Sequence, residues 1–444
     1  MEQMKMTYRD IAEKFFEFEK SQHLLSIKIA DVYPWEIVRV IVFFKIIDHY
    51  IPGNTDLQIK PAGVKIKNLL YRLFVNSVFF NPFLDFKKKD ALVFESGRKY
   101  MDDNSFIDIY TEYLCRDLRD KNISCTRYET NYNVDDQFFK RNQRNKHIDF
   151  ILILAKVKGV FNKVVFNPDE VALIDKASSE IQDVFNVKVD LQQIIQQEVS
   201  RFITERGFYQ KLFRLKKPKE IYIINYSQLS GMIAAAKEEG ILVNELQHGM
   251  ISEISVVANY PHTLPGSLHY FPDRFYLWDN ISMCFGKLPL EGDHIIPFKN
   301  KHIEKWQERT EAFVKDEKTI LIISQPYSSQ EIQDFVQANL EGLKDYTLLY
   351  KIHPVEDKKN FLRFKSKLLA YPNIRFIENE ESIYVLLKKA QYVVGIYSSS
   401  LFEATAFNCK VILLNLPGVE MSFPLLENKQ NILLDSTQKL SDFL

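Results

Sequence analysis

Two short stretches of the sequence carry side chains suited to holding a phosphate. His353-Pro354 follows an apolar run that predicts a buried strand. Proline cannot donate to a sheet ladder, so the strand must end there, with His353 as its last residue. Ser398, Ser399 and Ser400 stand at the predicted start of a helix, where hydroxyls, free backbone N–H groups and the helix dipole form an anion site. Together the two stretches predict a pocket for a phosphate or diphosphate that requires no metal ion.

Three further polar residues lie close to these stretches along the chain. Gln325 ends an earlier predicted strand, and Lys351 comes two residues before the histidine. Glu403 lies one helical turn beyond the serines, where it could accept from ribose hydroxyls or reach back to cap the helix. Taken singly, the motifs also fit a helix cap and a strand end without a ligand. Their pairing at strand ends favours a ligand, because open α/β sheets bind ligands there.

The other half of the chain offers a candidate base. His248 ends a predicted strand and precedes Gly249, which permits a sharp turn and the close approach of another molecule. An imidazole with an ordinary pKa is suited to deprotonate a sugar hydroxyl at neutral pH. A turn histidine without a catalytic role is an equally good interpretation. Glu245 and Glu253 are the alternative bases.

A polar turn at the end of an earlier strand is the candidate for acceptor binding. Glu95, Ser96 and Arg98 directly follow the apolar run at residues 91–94. If this strand belongs to the same sheet as the strand before His248, their carboxyl ends share one edge. The three side chains could then line an acceptor pocket. A solvent-exposed turn is the alternative interpretation.

The elements that must position these residues alternate between strand and helix patterns. Two such series begin near residues 91 and 319, which predicts parallel sheets with helices on their faces. We therefore expect an α/β protein with two Rossmann-like, doubly wound domains facing each other across a cleft, preceded by helices. Neither series contains GxGxxG or a Walker motif, which argues against dinucleotide and P-loop chemistry. The predicted units are a helical region at 1–88, a first Rossmann-like domain at 89–285 and a second at 286–444.

Composition and spacing exclude several other classes of protein. Of the 444 residues, 58 are Lys or Arg and 58 are Asp or Glu, so no overall charge favours nucleic acid. The four cysteines are scattered without CxxC or metal spacing, and the histidines lack paired-ligand spacing, so we expect no metal site. A start without the features of a signal peptide predicts a cytoplasmic protein.

The first 88 residues combine large apolar side chains with lysines. No stretch there reaches the roughly 20 apolar residues that a membrane-spanning helix requires. A helical cap packed on the next domain is the favoured interpretation. Apolar bulk beside cations also suits a membrane surface, so a peripheral contact with the inner face of the membrane is the alternative.

The order of these motifs resembles a known family. A Gln-Pro strand end at Gln325, a His-Pro strand end at His353 and a serine-rich helix start resemble the donor domain of GT-B glycosyltransferases. Bacterial sialyltransferases and capsule Kdo transferases are the most similar sets, over roughly residues 90–440. The resemblance implies that His353 and the serines contact the nucleotide phosphate. The His-Gly pair at His248 is also similar to that of CDP-glycerol polyolphosphate transferases.

One acceptor-side feature of the sialyltransferases is not evident. Their D/E-D/E-G motif has only two partial counterparts, Asp102-Asp103 and Glu238-Glu239-Gly240. The second pair lies at a predicted helix end, where glycine is an ordinary cap. The acidic base of those enzymes therefore cannot be assigned from the resemblance, and His248 with Glu245 stands in its place.

The resemblance implies a metal-independent glycosyltransferase without a bound cofactor. Its expected donor is a nucleotide-sugar, with a CMP-linked acid sugar such as sialic acid or Kdo favoured. Its expected acceptor is a glycan or a lipid-linked glycan of a surface polysaccharide or lipooligosaccharide. UDP-sugar transfer and CDP-polyol transfer remain alternatives. A non-catalytic scaffold in polysaccharide assembly is the alternative of another class, and a sugar-phosphate epimerase is a weaker third.

Overall fold

The structure is a computed structural model that describes residues 6–51, 70–102, 105–129, 145–353, 356–378 and 380–444. Two of the residues singled out above, Asp103 and Pro354, lie outside the described residues. The described strands form two parallel sheets and one antiparallel hairpin. The carboxyl ends of all strands in a parallel sheet meet at one edge, and the candidate residues are found at two such edges.

The first sheet has seven strands. Its order is β5-β4-β1-β6-β7-β8-β9, so the chain builds outward from β1 in one direction and then returns to β6 to build in the other. This reversal creates a crevice between the ends of β1 and β6. The strands, with the hairpin β2–β3, are β1 (Ala91–Phe94), β2 (Lys99–Asp102), β3 (Ser105–Asp108), β4 (Cys125–Glu129), β5 (Lys146–His147), β6 (Glu220–Ile223), β7 (Leu242–Leu246), β8 (Arg274–Trp278) and β9 (Ile295–Phe298).

The second sheet has six strands in the order β12-β11-β10-β13-β14-β15. Its reversal lies between β10 and β13, so the segments that follow β10, β11 and β13 surround one crevice. The buried stretches of the inner strands, such as residues 320–323 and 411–414, are apolar, as strands covered on both faces must be. The strands are β10 (Asp316–Ile323), β11 (Thr347–Lys351), β12 (Ile374–Ile377), β13 (Ala390–Gly395), β14 (Lys410–Leu414) and β15 (Ile432–Leu434).

Helices cover both sheets and form the N-terminal region. Several begin at recognisable signals, such as the capping boxes of Thr7 with Asp10 and of Asn167 with Glu170. The α-helices are α1 (Tyr8–Ser21), α2 (Pro34–Tyr50), α3 (Ser77–Phe79), α4 (Thr111–Asp120), α5 (Asp149–Phe161), α6 (Pro168–Phe185), α7 (Leu191–Lys216), α8 (Ser230–Glu238), α9 (Lys301–Arg309), α10 (Ser329–Asn339), α11 (Lys358–Lys367), α12 (Ile383–Lys389) and α13 (Ser399–Ala406).

The predicted boundary between the two α/β domains requires a correction. We expected the first domain to end at residue 285, yet β9 lies beyond it and pairs in parallel with β8. The first sheet therefore extends to Phe298. Pro297 cannot donate to a ladder, and this is tolerated because β9 is the edge strand. A four-residue edge strand with a central proline carries little strand signal in the sequence.

Helices α1 and α2 are a cap packed on the first domain. Their large apolar side chains, including Phe15 and Phe43, are buried in one cluster with residues of α6 and α7 such as Phe185 and Ile195. For these two helices the structure shows the favoured interpretation rather than a membrane-facing surface. Among the described residues, no helix combines the length and apolarity needed to cross a bilayer.

A buried ion pair ties the cap to the sheet domain. Arg39 of α2 is 1% exposed and makes two bonds of 2.7 Å to the carboxylate of Glu19 in α1. Its Nη1 donates to the carbonyl of Val256 at 2.7 Å, and its guanidinium lies 3.9 Å from the centre of the Tyr260 ring. Burial is tolerated because every strong donor and acceptor of the pair is engaged.

Removing the cation should therefore destabilise the fold strongly. Arg39→Met leaves the Glu19 carboxylate buried without a counter-charge, and we expect a loss of about 3–5 kcal/mol in the free energy of unfolding. Urea unfolding followed by circular dichroism measures this. The matched control is Arg9→Met, which breaks an exposed i,i+4 pair with Glu13 and should cost less than about 0.5 kcal/mol. Equal losses for the two variants would contradict the structural role of Arg39.

Candidate active site

A cavity of about 250 Å³ opens at the carboxyl edge of the first sheet. It lies at the crevice between β1 and β6, where the strand order reverses. The structure therefore brings the predicted acceptor-side residues together with the predicted base, although they are some 150 residues apart in the chain. The polar side chains that line the cavity are Glu95, Ser96, Arg98, Tyr110, Asn225, Gln228 and His248.

The imidazole of His248 is backed by a buried carboxylate. The side chain of His248 is 38% exposed, and its Nδ1 lies 3.8 Å from Oε1 of Glu245, whose side chain is wholly buried. Glu245 Oε1 also accepts from the backbone N–H of Asn225 at 2.7 Å. Burial raises the pKa of the Glu245 carboxyl. An accessible imidazole beside an enclosed carboxylate is an arrangement that can orient the ring and stabilise its protonated form.

Gln247 explains how this turn is held. Its side-chain amide donates to the carbonyls of Gly249 and Met283 at 3.0 and 3.2 Å, and its oxygen accepts from the Trp278 N–H at 2.8 Å. The chain bends at Gly249, but this residue does not have the left-handed conformation that would require glycine. A Cβ at Gly249 would meet no atom within 4 Å, which leaves the approach to His248 open.

Arg98 and Tyr110 connect the base to the opposite domain. The hydroxyl of Tyr110 donates to the carbonyl of His248 at 2.8 Å, and Nη1 of Arg98 donates to that hydroxyl at 2.8 Å. The positive charge of Arg98 in turn acts on Glu403 and on His353, both in the second domain. The carboxyl edges of the two sheets therefore face each other, with Arg98 between them.

The histidine of the second domain is held neutral. Burial, together with the charges of Arg98 and Lys351, lowers the pKa of His353 to about 4. Its backbone N–H donates to Glu356 at 3.3 Å, which fixes the segment after β11. The ammonium of Lys351 donates to the carbonyl of Glu378, so this predicted donor residue also supports the neighbouring strand end. A neutral imidazole can still donate one N–H to a phosphate oxygen.

The serine stretch begins α13, as predicted. Ser398 is the N-cap, and its hydroxyl accepts from the N–H of Ser400 at 3.3 Å. At the end of β13, a Cβ on Gly395 would come within 3.0 Å of Leu401 Cδ2, so glycine lets the helix pack close to the strand end. Gln325, after β10, is 5% exposed and lies at the same sheet edge.

Glu403 is held by neighbouring side chains and faces the opposite domain. Its carboxyl is hydrogen-bonded to the side chains of Tyr384 and Ser400 and faces Arg98 across the cleft. Burial raises its pKa to about 7 against the opposing effect of Arg98. No capping box involving Glu403 is formed at this helix start, so the capping interpretation is wrong for this residue.

The other acidic residues considered as bases are engaged elsewhere. Asp102 is buried and forms ion pairs with Lys305 and Arg309 of α9 at 2.6 and 2.5 Å. Glu238 and Glu239 pair with Arg206 and Arg214 on the outer helices, and exposed Glu253 does not line the cavity. These contacts leave His248 as the accessible base among the described candidates.

Several side chains of the site were missed in the sequence. Tyr110, Tyr384 and Asn225 reach the site only through contacts with distant segments, and no local pattern marks them. Glu95 is more than a turn residue: it is buried beside Lys99 at 2.9 Å, and Lys99 also pairs with Glu129 at 2.5 Å. Burial, reinforced by Glu129, raises the pKa of Glu95 to about 7 despite Lys99. The i,i+4 spacing of Glu95 and Lys99 is the one signal that could have indicated the pair.

Comparison with protein families decides the relationship of this chain. The model of the alpha-2,8-polysialyltransferase (POLYST) family matches residues 142–415, which is more than half of the chain. The chain belongs to this family. It is a glycosyltransferase of the GT-B fold, with two Rossmann-like domains whose carboxyl edges face each other. The predicted resemblance to bacterial sialyltransferases is confirmed. No curated protein matches the chain significantly.

Solved structures resemble this polysialyltransferase-family chain at low identity. The UDP-GlcNAc 2-epimerase of Methanocaldococcus jannaschii is 14% identical, with 78% of this chain and 89% of that chain covered and a TM-score of 0.46. The Neisseria meningitidis UDP-GlcNAc 2-epimerase is 12% identical, with 80% of this chain and 88% of that chain covered and a TM-score of 0.47. Acinetobacter baumannii MurG is 8% identical, with 80% of this chain and 88% of that chain covered and a TM-score of 0.47. Resemblances at this level say nothing about what the present chain binds.

The lowered pKa of His353 has a consequence for stability. In the unfolded chain the imidazole has a pKa of about 6.5, so below that pH the unfolded state binds a proton that the folded state refuses. The stabilisation present above pH 6.5 is therefore lost as the pH falls toward about 4. We expect the stability advantage of the parent over His353→Gln to shrink between pH 7 and pH 5 in urea unfolding. The pKa of His302 is also lowered to about 4, so His302→Gln should behave in the same way. A pH-independent difference for His353→Gln would contradict a neutral, enclosed imidazole.

Proposed function

We propose that this glycosyltransferase moves sialic acid from CMP-sialic acid to a hydroxyl of an acceptor glycan or lipid-linked glycan, working at the membrane surface. The observation that carries the proposal is the opposition of two sheet edges across one cleft. One edge presents an accessible histidine backed by a carboxylate, and the other presents a neutral histidine beside a serine-capped helix N-terminus. The family description supports an acid sugar as the transferred group.

The second domain would hold the donor by its phosphate. His353 would donate its imidazole N–H, and Ser398, Ser399 and Ser400 would donate hydroxyl and backbone N–H groups from the start of α13. As the bond between the anomeric carbon and the phosphate oxygen breaks, its electron pair passes to the phosphate. These donors and the helix dipole would stabilise that growing negative charge, and the scheme uses no metal ion.

The first domain would activate the acceptor. A hydroxyl in the cavity would lose its proton to His248 while its oxygen attacks the anomeric carbon. Glu245 is enclosed and cannot reach an acceptor, so we assign it a positioning role: its carboxylate would orient the ring and stabilise the imidazolium that forms. This division replaces the earlier choice between the two residues as base.

Arg98 would recognise the acid group of the sugar. Its guanidinium lies between the two edges and is fixed on one side by the hydroxyl of Tyr110. A guanidinium pairs well with a planar carboxylate, often through two parallel hydrogen bonds. Glu95 and Ser96 line the same cavity and would contact acceptor hydroxyls. With an uncharged sugar, the carboxyl facing Arg98 across the cleft would be that of Glu403, whose raised pKa weakens the pairing near neutral pH.

Nucleotide binding tests the donor half of the proposal. We expect CMP to raise the melting temperature more than CDP, UDP or GDP does. His353→Ala should weaken CMP binding by about 10- to 150-fold in calorimetry, the loss of one hydrogen bond to a charged group at about 1.5–3 kcal/mol. The control is His294→Ala, which removes an exposed histidine far along the chain.

Each other outcome of this screen has a defined meaning. Preference for UDP or CDP would replace the CMP donor by a UDP-sugar or CDP-polyol. Unchanged CMP affinity in His353→Ala would show that His353 ends a strand and does not bind the nucleotide. Stabilisation by none of the nucleotides would favour a non-catalytic scaffold.

Transfer kinetics test the acceptor half. With CMP-sialic acid as donor and EDTA present throughout, His248→Ala should lose about 10²- to 10⁴-fold in turnover and retain the CMP affinity of the parent. Glu245→Gln should lose less turnover, because the imidazole of His248 remains present but loses the carboxylate that orients it.

Exposed Glu253→Gln is the control and should behave as the parent. Turnover of His248→Ala near that of the parent would exclude it as the base. A Glu245→Gln enzyme with the turnover of the parent would show that Glu245 does not position the ring.

A further inference from the structure

Large apolar side chains are exposed on two neighbouring segments, one at the end of the N-terminal helical region and one in the first domain. We call the six that are at least 60% exposed the apolar patch. They are Phe74, Phe79, Leu84, Phe86, Phe161 and Val165. Single exposed apolar residues are ordinary, whereas a concentration of this kind marks a surface that contacts a protein or a membrane.

The two segments that carry the patch are fixed to each other. Asp149, wholly buried at the start of α5, accepts from Arg72 and from Asn76 at 2.7 Å each. The ring of Phe83 also packs edge-on against Phe150, with centroids 6.0 Å apart. The exposed aromatic side chains therefore project from a braced surface, and their exposure is a property of the packed fold.

The charge around the patch has one sign. Lys87 and Lys88 follow Phe86, and Lys156, Lys158 and Lys163 are interleaved with the apolar residues of the second segment, all of them exposed. Within the described residues 70–89 and 149–166, the acidic residues are Asp85 and Asp149. Both are engaged: Asp85 pairs with Lys216 at 3.2 Å, and Asp149 pairs with Arg72 at 2.7 Å. The outward charge is therefore cationic.

We propose that the apolar patch and its lysines dock the enzyme on an anionic lipid bilayer. The phenylalanine side chains would enter the interface between headgroups and acyl chains, and the lysines would contact lipid phosphates. The interleaving of exposed aromatic groups with exposed lysines favours anionic lipid over a protein partner. The proposal rests on the proposed function and gives its membrane part a defined surface, formed by residues outside α1 and α2.

Vesicle sedimentation with the full chain tests the docking surface. We expect the parent to sediment with vesicles that contain phosphatidylglycerol, to sediment much less with phosphatidylcholine alone, and to be released by high salt. Phe79→Ser/Phe86→Ser should lower partitioning at least about tenfold, because two aromatic side chains that would be buried in the bilayer are lost. Lys156→Glu/Lys158→Glu should lower partitioning by a similar factor, and only onto the vesicles that contain anionic lipid.

The matched control is Val314→Ser/Leu369→Ser, which removes two equally exposed apolar side chains outside the patch and should bind as the parent. CMP binding by the patch variants should match that of the parent, which separates this test from the donor assignment. If the parent stays in the supernatant with both vesicle types, the patch does not bind a lipid bilayer, and a protein would be its partner. Parental partitioning of the Phe79→Ser/Phe86→Ser variant would overturn the choice of surface.

Discussion

A parallel sheet delivers the carboxyl ends of all its strands to one edge, and both halves of this enzyme depend on that constraint. In each sheet the strand order reverses once, between β1 and β6 and between β10 and β13. The segments leaving adjacent strands at these points run in opposite directions and leave a crevice. His248 follows β7, which neighbours β6, and His353 follows β11, which neighbours β10. The two crevices face each other, so the chemistry is divided between domains that each bind one reactant.

Burial sets the protonation of the groups at these edges, and it acts in opposite senses on acids and bases. It lowers the pKa of His353 to about 4, so the imidazole enters the cleft neutral. It raises the pKa of Glu403 to about 7, which weakens the negative charge of this carboxyl near neutral pH. Arg98 opposes the second shift and adds to the first. The cleft therefore keeps a positive potential where a nucleotide phosphate and a sugar carboxylate would bring negative charge.

The sequence predicted the parts of the site that local pattern determines. His248, His353 and the serines each follow an apolar run, and strand ends are recognisable from such runs together with proline or glycine. The fold class followed from the alternation of strands and helices. Tyr110 and Tyr384 escaped prediction because their roles arise from contacts with segments more than 100 residues away or in the other domain. The domain boundary was misplaced because β9 is a short edge strand interrupted by Pro297.

Composition also failed to separate buried from exposed apolar surface in the N-terminal region. Residues 8–50 and 70–86 are both rich in phenylalanine, and both were assigned to a single helical region. The two segments differ in how far other helices cover their apolar side chains. Phe43 of α2 meets Phe15 of α1 with centroids 5.2 Å apart, and α1 and α2 are closed underneath by α6 and α7. The segment around Phe79 packs on the start of α5, where Arg72 and Asn76 bind Asp149, and on α7, where Lys216 pairs with Asp85. Its aromatic side chains are left outward because the polar contacts that anchor the segment point inward.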